Sequence, residues 1–312
     1  MAFETPKINY SGKIREVKLG KSKNVSVGGE SAYPLYLFEG ENPNPPKIAM
    51  EVFDLAPEEW ADAVIAPFKD VAGDPVAWAK LNVEQHGADM IALYLVSTDP
   101  NDKNMDAAQA AETAKKVAQA VDVPVIVYGT GSEEKDAEVL AKVAEACEGL
   151  NVIIGPVQEA GHKKIGAPCI GYKHTVSANT PIDVNLAKQL NILLGNLGVN
   201  ADNIIIDPTT GGLGYGIEYT YSVIERIRMA ALTQQDAQLQ QPIISVLGRE
   251  VWKCKEAKMG AEDEKYGDPT KRGILMEAVS AVSMIISGAD IVVLRHPETV
   301  KLIKQYLKAF FN

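Results

Sequence analysis

From Lys47 onward, short apolar runs alternate with longer stretches whose apolar positions recur every three or four residues. The runs at 48–53, 90–96, 123–128, 151–154, 174–178, 204–207, 242–247 and 291–294 show little polar alternation. Such runs read as strands covered on both faces, as in a parallel sheet. The periodic stretches predict helices over 75–86, 105–120, 133–147, 159–172, 182–197, 217–232, 273–287 and 298–310. In the second of these, Ala107, Ala110, Ala111, Ala114, Val117 and Ala118 fall on one helical stripe. Eight strand–helix alternations in about 265 residues are what an α/β fold of the (β/α)8 TIM-barrel type requires. The fifth strand is the least clear, because Gly166, Pro168 and Gly171 interrupt the helix before it. A doubly wound sheet is the alternative, but no G-x-G-x-x-G follows the first strand.

Residues 1–46 stand apart as an N-terminal arm, with the barrel over 47–312. Residues 14–19 and 25–27 pair as a β-hairpin across 20–24, and an aromatic run at 33–38 leads into a linker holding Pro43, Pro45 and Pro46. The arm either plugs the bottom of the barrel or presents apolar surface to a partner.

Charge narrows the function. With 41 acids against 31 bases the net charge is −10, which argues against nucleic acid and against an anionic membrane surface. The first twenty residues lack the apolar core of a signal peptide, and no apolar run approaches the ~20 residues of a spanning helix, so a cytoplasmic protein is expected. The three cysteines, Cys147, Cys169 and Cys254, and the four histidines, His86, His162, His174 and His296, are scattered. A self-contained cluster or metal site has little support in such spacing.

In a barrel the chemistry sits at the C-terminal strand ends. These are Glu51 and Asp54; Ser97, Thr98 and Asp99; Gly129, Thr130 and Gly131; Gln158; Ser177 and Asn179; Asp207, Thr209 and Thr210; Gly248, Arg249 and Glu250; and Arg295 with His296. The rim has no strand lysine for a Schiff base, no G-x-S-x-G and no P-loop. Hydroxyls, amides and bare backbone suit a large, mostly neutral ligand with amide groups. Glu51 and Arg295 read as a structural ion pair, and Asp207 as a cap on its own loop. His296 reads as a satisfied loop histidine, and Asn179-Thr180-Pro181 as a helix N-cap with proline at N1. One loop stands out. After Ile204-Ile205-Ile206, Pro208 stops the strand, and Gly211, Gly212, Gly214 and Gly216 precede a helix. Glycine there lets backbone lie close to a ligand.

The run I-D-P-T-T-G-G-L-G-Y-G-I-E-Y at 206–219 and S-V-I-E-R-I-R at 222–228 resemble the small subunit of the corrinoid iron–sulfur protein. So do P-I-D-V-N-L-A-K-Q-L-N-I-L at 181–193, E-V-W-K-C-K-E-A at 250–257 and R-H-P-E at 295–298. The archaeal relative of that family is the delta subunit of the acetyl-CoA decarbonylase/synthase complex. The resemblance implies a barrel paired with a large subunit that holds a [4Fe–4S] cluster and a corrinoid-binding domain. It implies a cobalt corrinoid of cobalamin type shared between the two chains, one face toward the barrel mouth. The methyl group comes from methyltetrahydrofolate by way of a separate methyltransferase and goes to acetyl-CoA synthase. Asp207, Thr209, Thr210, Gly211, Gly212, Gly214, Tyr215 and Asn179 are the implied corrinoid contacts, with no catalytic residue and no metal ligand on this chain. A pterin- or folate-dependent methyltransferase barrel is the alternative, with Asp207, Asn179 and Asn185 reading the ring. An unrelated lyase or aldolase barrel is a third reading, weakened by the missing strand lysine. The polar segment 259–272 reads as a solvated loop or a partner contact.

Overall fold

The computed structural model describes residues 4–21, 25–261 and 264–311. Among these residues, ten strands form two sheets. β1 (Val17–Leu19) and β2 (Val25–Val27) pair antiparallel, Val17 opposite Val27. The apex of that predicted hairpin, 22–24, lies outside the described residues. The second sheet contains β3 (Lys47–Phe53), β4 (Met90–Tyr94), β5 (Val125–Tyr128), β6 (Ile153–Val157), β7 (Thr175–Asn179), β8 (Ile204–Asp207), β9 (Ile244–Val246) and β10 (Ile291–Leu294). All neighbours are parallel, in the order β8-β7-β6-β5-β4-β3-β10-β9. A bridge between Ile206 and Ile243, with the Ile206 N–H donating to Pro242 O at 2.9 Å, closes the ring. This is the expected (β/α)8 barrel.

Strand residues divide between two apolar layers, which is why their runs lack alternation. Ile48, Met50 and Val52 face the helices, whereas Ala49, Met90, Ile126, Ile153, Ile205, Ile244 and Ile291 fill the barrel. Val17, Leu19 and Val27 of the hairpin join that interior layer, so the hairpin plugs the N-terminal end of the barrel. Tyr36, Leu37 and Phe38 of the arm stay exposed at 47%, 41% and 47%.

Several boundaries differ from expectation. The fourth barrel strand runs later than 151–154, because β6 continues through Gly155 and Pro156 at a register shift. β4 ends at Tyr94, and a 3-10 turn over Val96–Thr98 follows. The helix His162–Tyr172 runs through Gly166 and Pro168. A Cβ at Gly166 would lie 2.9 Å from Leu197 Cδ2 of the next helix, so that flexible side chain would have to shift to admit a larger residue. Asn179 is not a helix cap. The helix Val184–Leu197 is capped by Asp183, whose Oδ1 accepts the N–H groups of Asn185 and Leu186 at 2.7 and 3.0 Å. The polar segment is fastened rather than loose: Arg272 donates to Glu256 O at 2.7 Å, to Tyr266 O at 3.1 Å and to Met259 O. Residues 262–263 of that segment lie outside the described residues.

Candidate functional site

Asp207 ends β8 at the C-terminal mouth of the barrel and is only 4% exposed. Pro208 stops the ladder, and Thr209 takes a left-handed φ of 57° that turns its N–H back to Asp207 Oδ1 at 3.1 Å. Asp207 therefore caps its own loop, as its position at a strand end suggests. Burial pushes its carboxyl up to about 7, while hydrogen bonds from the Thr209 N–H and from Asn179 pull the other way.

A polar chain crosses the mouth from there. Thr209 Oγ1 donates to Thr180 O at 2.6 Å and accepts from Asn179 Nδ2 at 3.1 Å. Asn179 Oδ1 in turn accepts from Gln158 Nε2 at 2.9 Å. Thr210 Oγ1 shares a hydrogen bond of 2.8 Å with Ser245 Oγ of β9. Gly211 is clamped to the following helix, its N–H donating to Thr220 Oγ1 at 3.0 Å while that hydroxyl donates to Gly211 O at 2.9 Å. Gly212, at φ 73°, could bear no side chain: a Cβ would fall 2.4 Å from Gly216 O.

The eight residues assigned from sequence separate into two groups. Asn179, Asp207, Thr209 and Thr210 line one mouth cavity of ≈ 330 Å³. Gly212, Gly214 and Tyr215 instead line an outer hollow of ≈ 450 Å³ beside Cys254. Tyr215 is 89% exposed, and Gly211 lines neither space. Asn185, considered for a pterin role, is an exposed first-turn helix residue outside the mouth cavity.

Other mouth residues were given no role by sequence reasoning. Tyr94 and Tyr128 are register partners at the ends of β4 and β5, and their rings stack at 5.1 Å with 12° between planes. The Arg249 guanidinium lies 4.9 Å above the Tyr94 ring. A tyrosine ending each of two neighbouring strands is a signal that could have found this floor. A third cavity, of ≈ 710 Å³, lies over the ends of β3, β9 and β10 and shares Arg249 and Lys253 with the mouth cavity. The expected Glu51–Arg295 pair is present at 2.6 Å, and His296 Nδ1 accepts the Glu298 N–H at 3.2 Å.

The mouth cavity carries hydroxyls and carboxamides, the outer hollow open glycine backbone with charged side chains and the ≈ 710 Å³ hollow aromatic and charged side chains, and among the described residues none of the three linings contains an imidazole. Among the described residues no group of three His, Cys, Asp or Glu could hold a metal ion, and no helix is long and apolar enough to cross a membrane. Cys147 and Cys169 are buried thiols pushed up to about 12 by desolvation.

Residues 16–307 match the family described as CO dehydrogenase/acetyl-CoA synthase delta subunit. The acetyl-CoA decarbonylase/synthase complex subunit delta 1 of Methanosarcina thermophila is 38% identical over 317 aligned residues, covering 97% of this chain and 72% of the relative. Subunit delta of the same complex from Methanothermobacter thermautotrophicus is 37% identical over 311, covering 99% and 78%. Among solved structures, Thermus thermophilus dihydropteroate synthase in complex with 4-aminobenzoate superposes with a TM-score of 0.58 at 13% identity, covering 95% of this chain and 100% of that one. Xanthomonas albilineans dihydropteroate synthase with 4-aminobenzoic acid gives 0.56 at 15% identity, covering 85% and 94%. At such identities the structural likeness is one of fold.

Proposed function

The chain belongs to the CO dehydrogenase/acetyl-CoA synthase delta-subunit family, that of the corrinoid iron–sulfur protein small subunit, and from that premise we propose that its barrel mouth covers one face of a cobalt corrinoid. The corrinoid is held mainly by a large partner subunit, which also carries the [4Fe–4S] cluster. The pair meets a methyltetrahydrofolate-dependent methyltransferase and acetyl-CoA synthase in the cytoplasm. When bound, the corrinoid supplies a cobalt centre able to accept a methyl group and hand it on.

The work of this chain is positional. The Gln158–Asn179–Thr209 chain and the Thr210 hydroxyl offer hydrogen bonds to peripheral amides, and the clamped glycine loop keeps backbone within reach of them. With no imidazole in these linings among the described residues, Gln158, Asn179, Thr209 and Thr210 would meet the corrinoid at its periphery. Shielding excludes water from the cobalt centre. The arm, 1–46, serves as a floor plug attached to the barrel unit, 47–312. The observation that supports this most is the mouth's polar chain, in which Thr209 and Thr210 belong to the family-like run at 206–219 and Gln158 and Asn179 extend it across the barrel end.

A second reading, a folate-dependent methyltransferase, draws on one observation: the Asp207 carboxyl and the Asn179 carboxamide line the same cavity. One experiment addresses both. The chain is co-expressed with its large subunit, and corrinoid absorbance of the purified pair is compared with that of Asn179→Ala and Thr210→Val forms. In parallel, methyltetrahydrofolate is titrated into this chain alone. Loss of corrinoid from the variants supports the shielding role. Tight folate binding by the isolated chain, with methylation of free cobalamin, replaces it with the enzyme reading.

A further inference from the structure

The ≈ 710 Å³ cavity contains none of the eight assigned residues, and its composition differs from that of the mouth. Phe53, Trp60 and Trp252 line it with Val96, so two of the chain's three tryptophans meet at one hollow. Arg249 and Arg295 line it as well. Arg295 is committed: its Nε donates to Glu51 at 2.6 Å, and its guanidinium lies 4.0 Å over Trp60. Arg249 is not. Its backbone N–H goes to Glu51 Oε1 at 2.9 Å, but its guanidinium has no ion pair or side-chain hydrogen bond among the described residues. Among the same residues Lys258 on the rim also lacks an ion pair, whereas Lys253 is matched by Glu250 at 2.7 Å and Lys103 by Asp102 at 3.6 Å. The other acids on the lining, Glu58 and Glu59, are exposed.

A half-buried guanidinium without a counter-ion is an expensive thing for an acidic protein to keep, because part of its hydration is lost and only an aromatic ring face replaces it. The Tyr94 face supports the planar group from one side, and its fork of N–H donors remains available. Such a fork matches the geometry of a carboxylate or phosphate. Tryptophan and phenylalanine walls suit a flat, apolar body, and the volume falls within the roughly 300–1,000 Å³ of small-molecule sites. We propose that this cavity binds a small planar ligand bearing a carboxylate or phosphate, with Arg249 taking the anionic group and Trp60 and Trp252 flanking the ring. The site goes beyond the corrinoid reading and does not depend on it.

The test is calorimetric titration of the full chain with 2-naphthoate, 2-naphthyl phosphate, neutral 2-naphthylmethanol and inorganic phosphate. The expected result is that one or both naphthyl anions bind at least about tenfold more tightly than the alcohol, as a charged hydrogen bond implies. Their order identifies the anionic group. Arg249→Met is expected to lower that anion's affinity to the level of the alcohol, while Arg249→Lys retains part of the difference. Should Arg249→Met fail to fold, added sodium chloride serves instead, weakening the anions and sparing the alcohol. Equal binding of the alcohol, unchanged binding by a folded Arg249→Met, salt-insensitive anion binding, or no binding by any naphthyl probe overturns the proposal.

Discussion

Arg295 donates from Nε to Oε2 of Glu51 at 2.6 Å, tying the residue after the last barrel strand to the first strand through a buried ion pair. Both side chains are almost fully enclosed, and Glu51 Oε1 also accepts the Arg249 N–H at 2.9 Å. Gly248 makes room for this carboxylate, since a Cβ there would lie 2.7 Å from Glu51 Cδ. Removing one member strands a buried charge, which costs about 3–5 kcal/mol, whereas removing both together costs far less. Glu51→Gln is therefore expected to lower stability by about 3 kcal/mol in urea unfolding. Adding Arg295→Met should recover much of the loss, and a double variant as unstable as the sum of the singles would contradict a coupled pair.

Asp207 gives the protein a pH dependence of definite sign. Its folded pKa is raised to about 7 by burial, above the ordinary aspartate value of roughly 4. Between those values the unfolded chain releases this proton and the folded chain keeps it. Its contribution is thus fully present below about pH 4 and is lost as pH climbs to about 7. Glu277, raised to about 7 by the same cause, adds a slope of the same sign. Asp207→Asn should flatten the fall in Tm between pH 4 and 7, leaving the part due to Glu277. A carboxyl ¹³C titration of Asp207 with a midpoint below 5 would show that the site is better hydrated than its burial implies.

The barrel was legible because strands buried on both faces must be apolar throughout, as Ile204–Asp207 and Ile291–Leu294 show. Ends were less legible. The strand expected at 151–154 runs instead to Val157, passing through Pro156 at a register shift. Asn179-Thr180-Pro181 looks like a cap, yet the helix starts only after Asp183, leaving the Asn179 amide to serve the mouth. Loop side chains obey no period, so nothing in the glycine run said that Asp207 turns inward and Tyr215 outward. Arg249 was visible as a rim residue, but its perch on Tyr94 needs two strand ends brought together in space.

The glycine loop separates steric from conformational need. Gly212 and Gly214 both have positive φ, 73° and 89°. A Cβ at Gly212 would strike Gly216 O at 2.4 Å, whereas at Gly214 the nearest atoms, Glu256 Oε2 and Cys254 Sγ, are 3.5 and 3.6 Å away. Gly214→Ala should cost about 1 kcal/mol, the conformational part alone. Gly212→Ala should cost clearly more, because backbone must move and the Gly212 O bonds to the Tyr215 and Gly216 N–H groups at 2.9 and 2.6 Å are disturbed. Equal Tm values for the two variants would mean that the loop is softer than its hydrogen bonds suggest.

Tyr215 is where stability and function should part most cleanly. At 89% exposed it packs against little, and Tyr219, one turn on, is also 66% exposed. Surface substitutions away from buried features usually change stability by less than about 0.5 kcal/mol, so Tyr215→Ser should unfold like the parent. An aromatic standing out from the mouth's rim has value only when something covers it. In the proposed pairing that cover is the corrinoid-bearing partner, and tyrosines at interface centres often carry about 1–2 kcal/mol or more. The affinity of the Tyr215→Ser chain for the corrinoid-loaded large subunit, measured by calorimetry, should therefore fall about tenfold while its Tm stays put. An unchanged affinity would remove Tyr215 from the interface and confine the contact to the inner group of Asn179, Asp207, Thr209 and Thr210.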